Sequence, residues 1–161
     1  MTEMQPVVDL AAERAWLEPV LREHIPLAGS MGLRIAGLDE TGIRLDFPLA
    51  PSVNDKGSAF GGALASAMIL AGWSLPRLLL RRQSISAELV IGRCEIRFLK
   101  PVYAAFSAVC DWPDASAQAG FLQATTSRGK GRLALEPRIV ADGEVAATLT
   151  ARYAALKPNP D

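Results

Sequence analysis

The sequence is poor in the residues that most often carry chemistry. Histidine occurs once, as His24, and cysteine twice, as Cys94 and Cys110. One histidine and two separated cysteines cannot furnish a four-ligand zinc site, and there is no CxxC pair. No metal or other cofactor is expected, and no phosphate-binding P-loop is present. Charge of one sign is not in excess either, with 17 basic and 17 acidic residues and a formal net charge of zero. Duplex-binding proteins carry a basic surplus or stripe, so nucleic acid is excluded as the main partner. The N-terminal Met-Thr-Glu-Met-Gln-Pro lacks the basic region and apolar run of a secretory signal. The most apolar window, Phe60 to Leu75, is too short to cross a bilayer and contains Ser66 and Ser74, so no membrane association is expected. No repeat, low-complexity tract or Gly/Ser linker divides the 161 residues, and a single domain over 1–161 is expected. Both cysteines fall in alternating apolar patterns. That favours buried thiols in a reducing compartment, and hence a cytoplasmic protein.

Half the residues are hydrophobic, enough for a real core. A first helix starts near Asp9, a good N-cap, with Trp16/Val20 and Leu17/Leu21 at helical spacing. Pro19 kinks or restarts it, and Pro26 ends it. Two extended stretches, Gly32 to Leu38 and Ile43 to Leu49, flank the turn residues Asp39-Glu-Thr-Gly42. A polar, glycine-bearing loop from Pro51 to Gly62 runs into Ala63–Trp73, which is small and apolar on every face. Such a helix must be buried on every face. Pro76 opens a basic, surface-like turn through Arg82. Beyond Glu88 the chain reads as strand. Cys94, Ile96 and Phe98 alternate with Arg93, Glu95 and Arg97, and Phe106, Ala108, Cys110 and Trp112 repeat the pattern. Residues 113–127 hold a short helix or loop. Leu133–Ala141 and Glu144–Ala155 are joined by Asp142-Gly143, a two-residue hairpin turn. The order predicts an α+β fold in which one antiparallel sheet of about six strands wraps one long buried helix, beside an N-terminal helix.

The loop Asn54-Asp-Lys-Gly57-Ser-Ala-Phe60-Gly61-Gly62 resembles the loop-into-helix signature of hotdog thioesterases, Asn-x-x-Gly-x-x-His-Gly-Gly. Arg97-Phe-Leu-Lys-Pro101 resembles the strand ending those proteins carry after the helix. Gly129-Lys-Gly-Arg132 resembles the basic start of their penultimate strand. A closer resemblance is to the thioesterase domain that forms the C-terminal half of the bacterial YiiD acetyltransferases. It extends to Ala71-Gly72-Trp73, His24-Ile-Pro-Leu27 and Met31-Gly32, and spans about residues 20–156. The resemblance implies a hotdog fold and acyl-CoA or acyl-carrier thioesters as ligands. It also implies a homodimer joined edge to edge through the strand containing Glu95 to Leu99, with pairing into tetramers left open.

Thioester hydrolysis needs a stabilised oxyanion and an activated water. Gly61 and Gly62 open the buried helix, so their N–H groups lack intrahelical partners and lie at the positive end of the helix dipole. Without a Cβ they also admit a carbonyl closely. The plainer alternative is that Gly-Gly merely eases packing against the sheet. Many hotdog thioesterases carry histidine before the glycine pair and a carboxylate two turns into the helix. Here Phe60 holds the first position, and Ala63–Trp73 contains no Asp or Glu. The nearest carboxylate is Asp55, a candidate general base with Asn54 orienting the water. The alternative is an Asx turn made by both. Gly57, Ser58, Phe60, Gly62 and Ser66 complete the candidate substrate contacts, with Ser58 and Ser66 as positioning hydroxyls and Phe60, Met68 and Trp73 suggesting an apolar pocket. Ser66 is excluded as a nucleophile, having no histidine near it. Lys130 and Arg132, with Arg128, are candidate anchors for coenzyme A phosphates, and Arg77, Arg81 and Arg82 read as surface charge. Three functions compete: acyl-thioester hydrolase, non-catalytic acyl-thioester binder, and hydratase. The last wants a histidine the loop does not have.

Overall fold

A computed structural model describes residues 8–158. The N-terminal segment of the signal-peptide reading, residues 1–7, and residues 159–161 lie outside the described residues. Helix α1 (Leu10–His24) begins where Asp9 accepts a hydrogen bond from the Ala12 amide, and it continues through Pro19 without a break. Leu17 and Leu21 face inward, while His24 is exposed at the end. Pro26 does more than stop α1. It sits at the first turn of a short helix α2 (Pro26–Ser30), where its missing N–H costs nothing.

Strands β1 (Arg34–Leu38) and β2 (Gly42–Phe47) form the expected hairpin over Asp39, whose carboxylate accepts from the Thr41 and Gly42 amides. Helix α3 (Gly61–Arg82) packs against the sheet. It is followed by β3 (Glu88–Phe98), β4 (Phe106–Asp111), α4 (Ala115–Arg128), β5 (Lys130–Leu135), β6 (Arg138–Ala141) and β7 (Glu144–Leu156). All pairings are antiparallel. The order is β1-β2-β4-β6-β7-β3, with β5 also on β7, giving seven strands among the described residues. The count exceeds the expected six because 133–141 breaks at Pro137, whose ring offers no ladder donor. The two pieces still lie along one partner. Asp142 and Gly143 both adopt positive φ, 51° and 74°, as a type I′ turn requires.

Two sequence expectations fail. Pro76 does not end α3 but lies buried within it, and the helix runs six residues further. A mid-helix proline costs about 3 kcal/mol. Burying Leu75, Leu78, Leu79 and Leu80 together outweighs that at roughly 2 kcal/mol each. The resulting 22-residue helix is apolar and long enough to cross a membrane by length and composition, yet 72% of its most apolar window is covered by the fold. It is the core helix. Of the two alternatives for residues 113–127, helix or loop, the helix forms as α4, capped by Asp114 at one end and by left-handed Gly129 at the other. Finally, Cys94 is exposed. It shares a face with buried Ala151, but β3 lies at the edge of the sheet with a strand on one flank only.

Cys110 is buried as expected, and desolvation, helped by the Asp111 carboxylate, pushes its thiol up from 9.0 to about 12. Native protein at pH 8 is therefore expected to leave Cys110 unlabelled by a thiol reagent. Titration should show two thiols per chain only after denaturant is added, and labelling of Cys110 without unfolding would contradict its burial.

Candidate active site

The loop before α3 is built by its own polar residues. The Asn54 Oδ1 accepts from the amides of Lys56 (2.8 Å) and Ser58 (3.1 Å), and its Nδ2 donates to Ser58 Oγ at 2.9 Å. The Asx-turn alternative thus describes Asn54. Gly57 turns the chain at φ +79°, a conformation that penalises any Cβ. Asp55 takes no part in this network. Its side chain stands at the loop tip, 81% exposed and 3.3 Å from the Lys56 ammonium.

The loop closes through a bridge between Val53 and Ala59. The Ala59 amide donates to Val102 O at 2.7 Å and the Phe60 amide to Ser52 O at 2.6 Å, fixing where α3 begins. Phe60 is the N-cap, and its side chain cannot accept a hydrogen bond. Its carbonyl accepts from the Ala63 and Leu64 amides. The Gly61 and Gly62 amides have no hydrogen-bond partner among the described residues. Two donors therefore stand free at the positive end of a 22-residue helix.

Those donors lie within an apolar surface. A Cβ built on Gly61 would lie 3.5 Å from the Phe98 ring, and one on Gly62 would lie 2.3 Å from the Phe60 ring. Both rings are more than half exposed, as are Leu99 and Tyr103. Along α3 the residues Gly62, Ser66, Ile69 and Trp73 are only partly covered, while the flanking turns are buried. This incompletely covered stripe runs at helical spacing beside the inner face of β3, where Leu89, Ile91 and Ile96 are also half-covered. Trp73 links the two, donating from Nε1 to Leu89 O at 3.3 Å. Ser66 Oγ is occupied, donating back to Gly62 O at 2.8 Å. Met68 is fully buried and belongs to the core, so the apolar surface comprises Phe60 and Trp73 but not Met68.

The structure brings Asn54, Asp55, Gly57, Ser58, Phe60, Gly61, Gly62 and Ser66 to one end of the sheet. Lys130 and Arg132 are elsewhere. Phe98, beside Gly61, pairs with Ala147 of β7, whereas Lys130 pairs with Leu156. Nine residues of strand separate the two positions, roughly 30 Å. Phe98, Leu99 and Tyr103 escaped sequence reasoning as site residues, because strand alternation placed Phe98 on a dry face rather than against a helix start. Among the described residues no group of three histidine, cysteine, aspartate or glutamate side chains could hold a metal ion.

One long helix, opened by a glycine pair and wrapped by an antiparallel sheet, defines the hotdog class. The chain belongs to the YiiD_C family, described as "Putative thioesterase (yiiD_Cterm)", whose family model matches residues 14–157. It is similar to a protein of unknown function from Chlorobaculum tepidum, at 29% identity over 92% of this chain and 97% of that one, with a TM-score of 0.88. A Shewanella oneidensis protein described as a thioesterase in the same guarded terms shares 24% identity over 91% and 99% of the two chains, TM-score 0.80. A Pseudomonas aeruginosa protein of similar description shares 23% over 96% and 100%, TM-score 0.73. At these identities the last two bear on the fold alone.

Proposed function

We propose that the protein hydrolyses an acyl thioester, of coenzyme A or an acyl carrier, at a site completed by a second copy of the chain. The observation that carries this reading is the pair of unpartnered amides at Gly61 and Gly62. A thioester carbonyl seated there gains two hydrogen bonds as its oxygen becomes an anion. One such donor is worth roughly 3 kcal/mol in a transition state. Asp55 is the proposed base, being the sole carboxylate between Phe47 and Glu88. It takes a proton from water, the hydroxide oxygen attacks the carbonyl carbon, the C–S bond breaks, and the proton passes to the departing thiolate. Asn54 holds the loop that presents Asp55. The second copy is supported by β3, an edge strand with β7 on one flank and no strand on the other among the described residues. Val90, Phe98 and Leu99 are exposed along it. Antiparallel pairing of this edge with itself would set the Lys130 end of one protomer beside the glycine end of the other. A second reading, thioester binding without turnover, is favoured by the absence of any carboxylate in α3.

Thiol release from acyl-CoAs of varied chain length tests the hydrolase. Gly61→Ala, whose new methyl meets Phe98 only at ordinary contact distance, should fold normally but crowd the carbonyl, lowering kcat/KM by about tenfold. Unaltered turnover in that variant would remove the oxyanion role. Light scattering at micromolar concentration should report twice the mass of the chain, and a monomer there would leave the site with one wall.

A further inference from the structure

The outer face of the sheet, turned away from α3, carries an arrangement that the hydrolase reading does not use. On β7 the residues 147, 149, 151, 153 and 155 are buried against the core, so Thr148, Thr150 and Arg152 face outward. Arg152 stands directly opposite Arg93 of β3. That opposition is created by an irregularity. The register of β3 shifts between Ile91 and Arg93, with Gly92 as the extra residue. In a regular ladder Gly92 would face Arg152, and Arg93 would turn inward. The bulge instead sets two guanidinium groups on neighbouring strands, where like charges directly opposite one another repel. Neither has a carboxylate within ion-pair distance among the described residues, nor do Arg132, Lys130 or Arg97 on the same face. Arg132 pairs with Ala154 and so stands diagonal to Arg152 on the next strand. In a chain of zero net charge this is a local concentration of unpaired cations. Arg93 and Arg152 also line a cavity of about 260 Å³ with Thr150, Ala134 and the single carboxylate Glu95.

We infer that Arg93 and Arg152, flanked by Arg132, form a binding site for a multiply charged phosphate or diphosphate group on the outer face. Two guanidinium forks lining one cavity suit such a group, each offering paired N–H donors, and Thr150 lines the same cavity. The anion would also relieve the repulsion that the bulge imposes. Its source is either the nucleotide end of a thioester's carrier or a separate phosphate ligand. The site itself does not depend on hydrolysis.

Calorimetric titration with inorganic pyrophosphate at low salt tests the site, comparing wild type with the double variant Arg93→Gln/Arg152→Gln. Both side chains are exposed, so the variant is expected to fold. Wild type should bind with an affinity that falls as salt rises, and the variant should bind at least tenfold more weakly. Without pyrophosphate the variant should melt at or above the wild-type temperature, and only wild type should melt higher when pyrophosphate is added. No binding, or equal binding and equal thermal shifts in both proteins, would overturn the inference. A further pair of measurements identifies the source. A rise in the variant's KM for acyl-CoA but not for acyl-pantetheine assigns the anion to the carrier. Unchanged KM values alongside lost pyrophosphate binding assign it to a separate ligand.

Discussion

Asp55→Asn is expected to reduce thiol release from acyl-CoA by about 10²-fold while leaving the melting temperature near that of wild type, since a general base contributes at least that much. The substitution is unusually clean here. The turn-forming bonds of the loop belong to Asn54, and the Asp55 carboxylate touches only the Lys56 ammonium, in solvent. An exposed pair of this kind contributes little to stability. A neutral amide keeps the shape of the side chain and loses the proton acceptor. Acyl-CoA affinity should therefore hold while kcat falls, which separates a lost base from a distorted loop. Wild-type turnover in Asp55→Asn would mean that another group activates the water. Thioester binding by the wild type without any thiol release would leave the binder reading in place of the hydrolase.

Glu13→Ala should destabilise the fold by about 3 kcal/mol or more, the cost of leaving one member of a buried ion pair unpaired. Glu13 is 2% exposed and receives two hydrogen bonds from Arg82, at 2.7 Å and 2.8 Å. The same guanidinium lies 4.6 Å from the centre of the Trp112 ring. One side chain thus ties α1, the end of α3 and the residue after β4 together. Urea unfolding at fixed protein concentration measures the loss as a lower midpoint with unchanged slope. Glu144→Ala is the control. Its pair with Lys100 is well exposed at both ends, and the midpoint should not move. Equal midpoint shifts in the two variants would show that burial of the Glu13 pair counts for nothing.

Much of the fold was legible because its signals were local. The Asp9 cap, the Asp142-Gly143 turn and the period-two alternation in β3 and β4 each depend on residues within a few positions of one another. The start of α3 at Gly61 was readable for the same reason. What escaped depends on distant partners. The continuation of α3 past Pro76 is decided by the sheet that buries Leu78 to Leu80, not by the proline. Exposure of Cys94 follows from β3 being last in the strand order, which no alternation pattern encodes. The separation of Lys130 and Arg132 from the glycine pair likewise follows from the antiparallel run of β7. At the site, the residue types in the loop were legible, and the division of labour between Asn54 and Asp55 was not. Neighbouring polar residues in a turn read alike until their hydrogen bonds are known. Burial of Glu13 was equally hidden, since its partner is 69 positions away.

The position of β7 in the sheet has a consequence for biosynthesis. It pairs with β3, β5 and β6, yet it is translated after every other strand among the described residues. Until Leu156 has left the ribosome, neither β3 nor β5 has its partner strand, and the far side of α3 stays uncovered. From the synthesis of β3 until β7 emerges, the nascent chain must therefore carry an apolar helix beside an open strand edge, joined by a second open edge once β5 is made. That is the condition in which chaperone capture competes with misassembly. A stop codon before Glu144 would remove one strand, leaving β3 and β5 with no partner and β6 held by β4 alone.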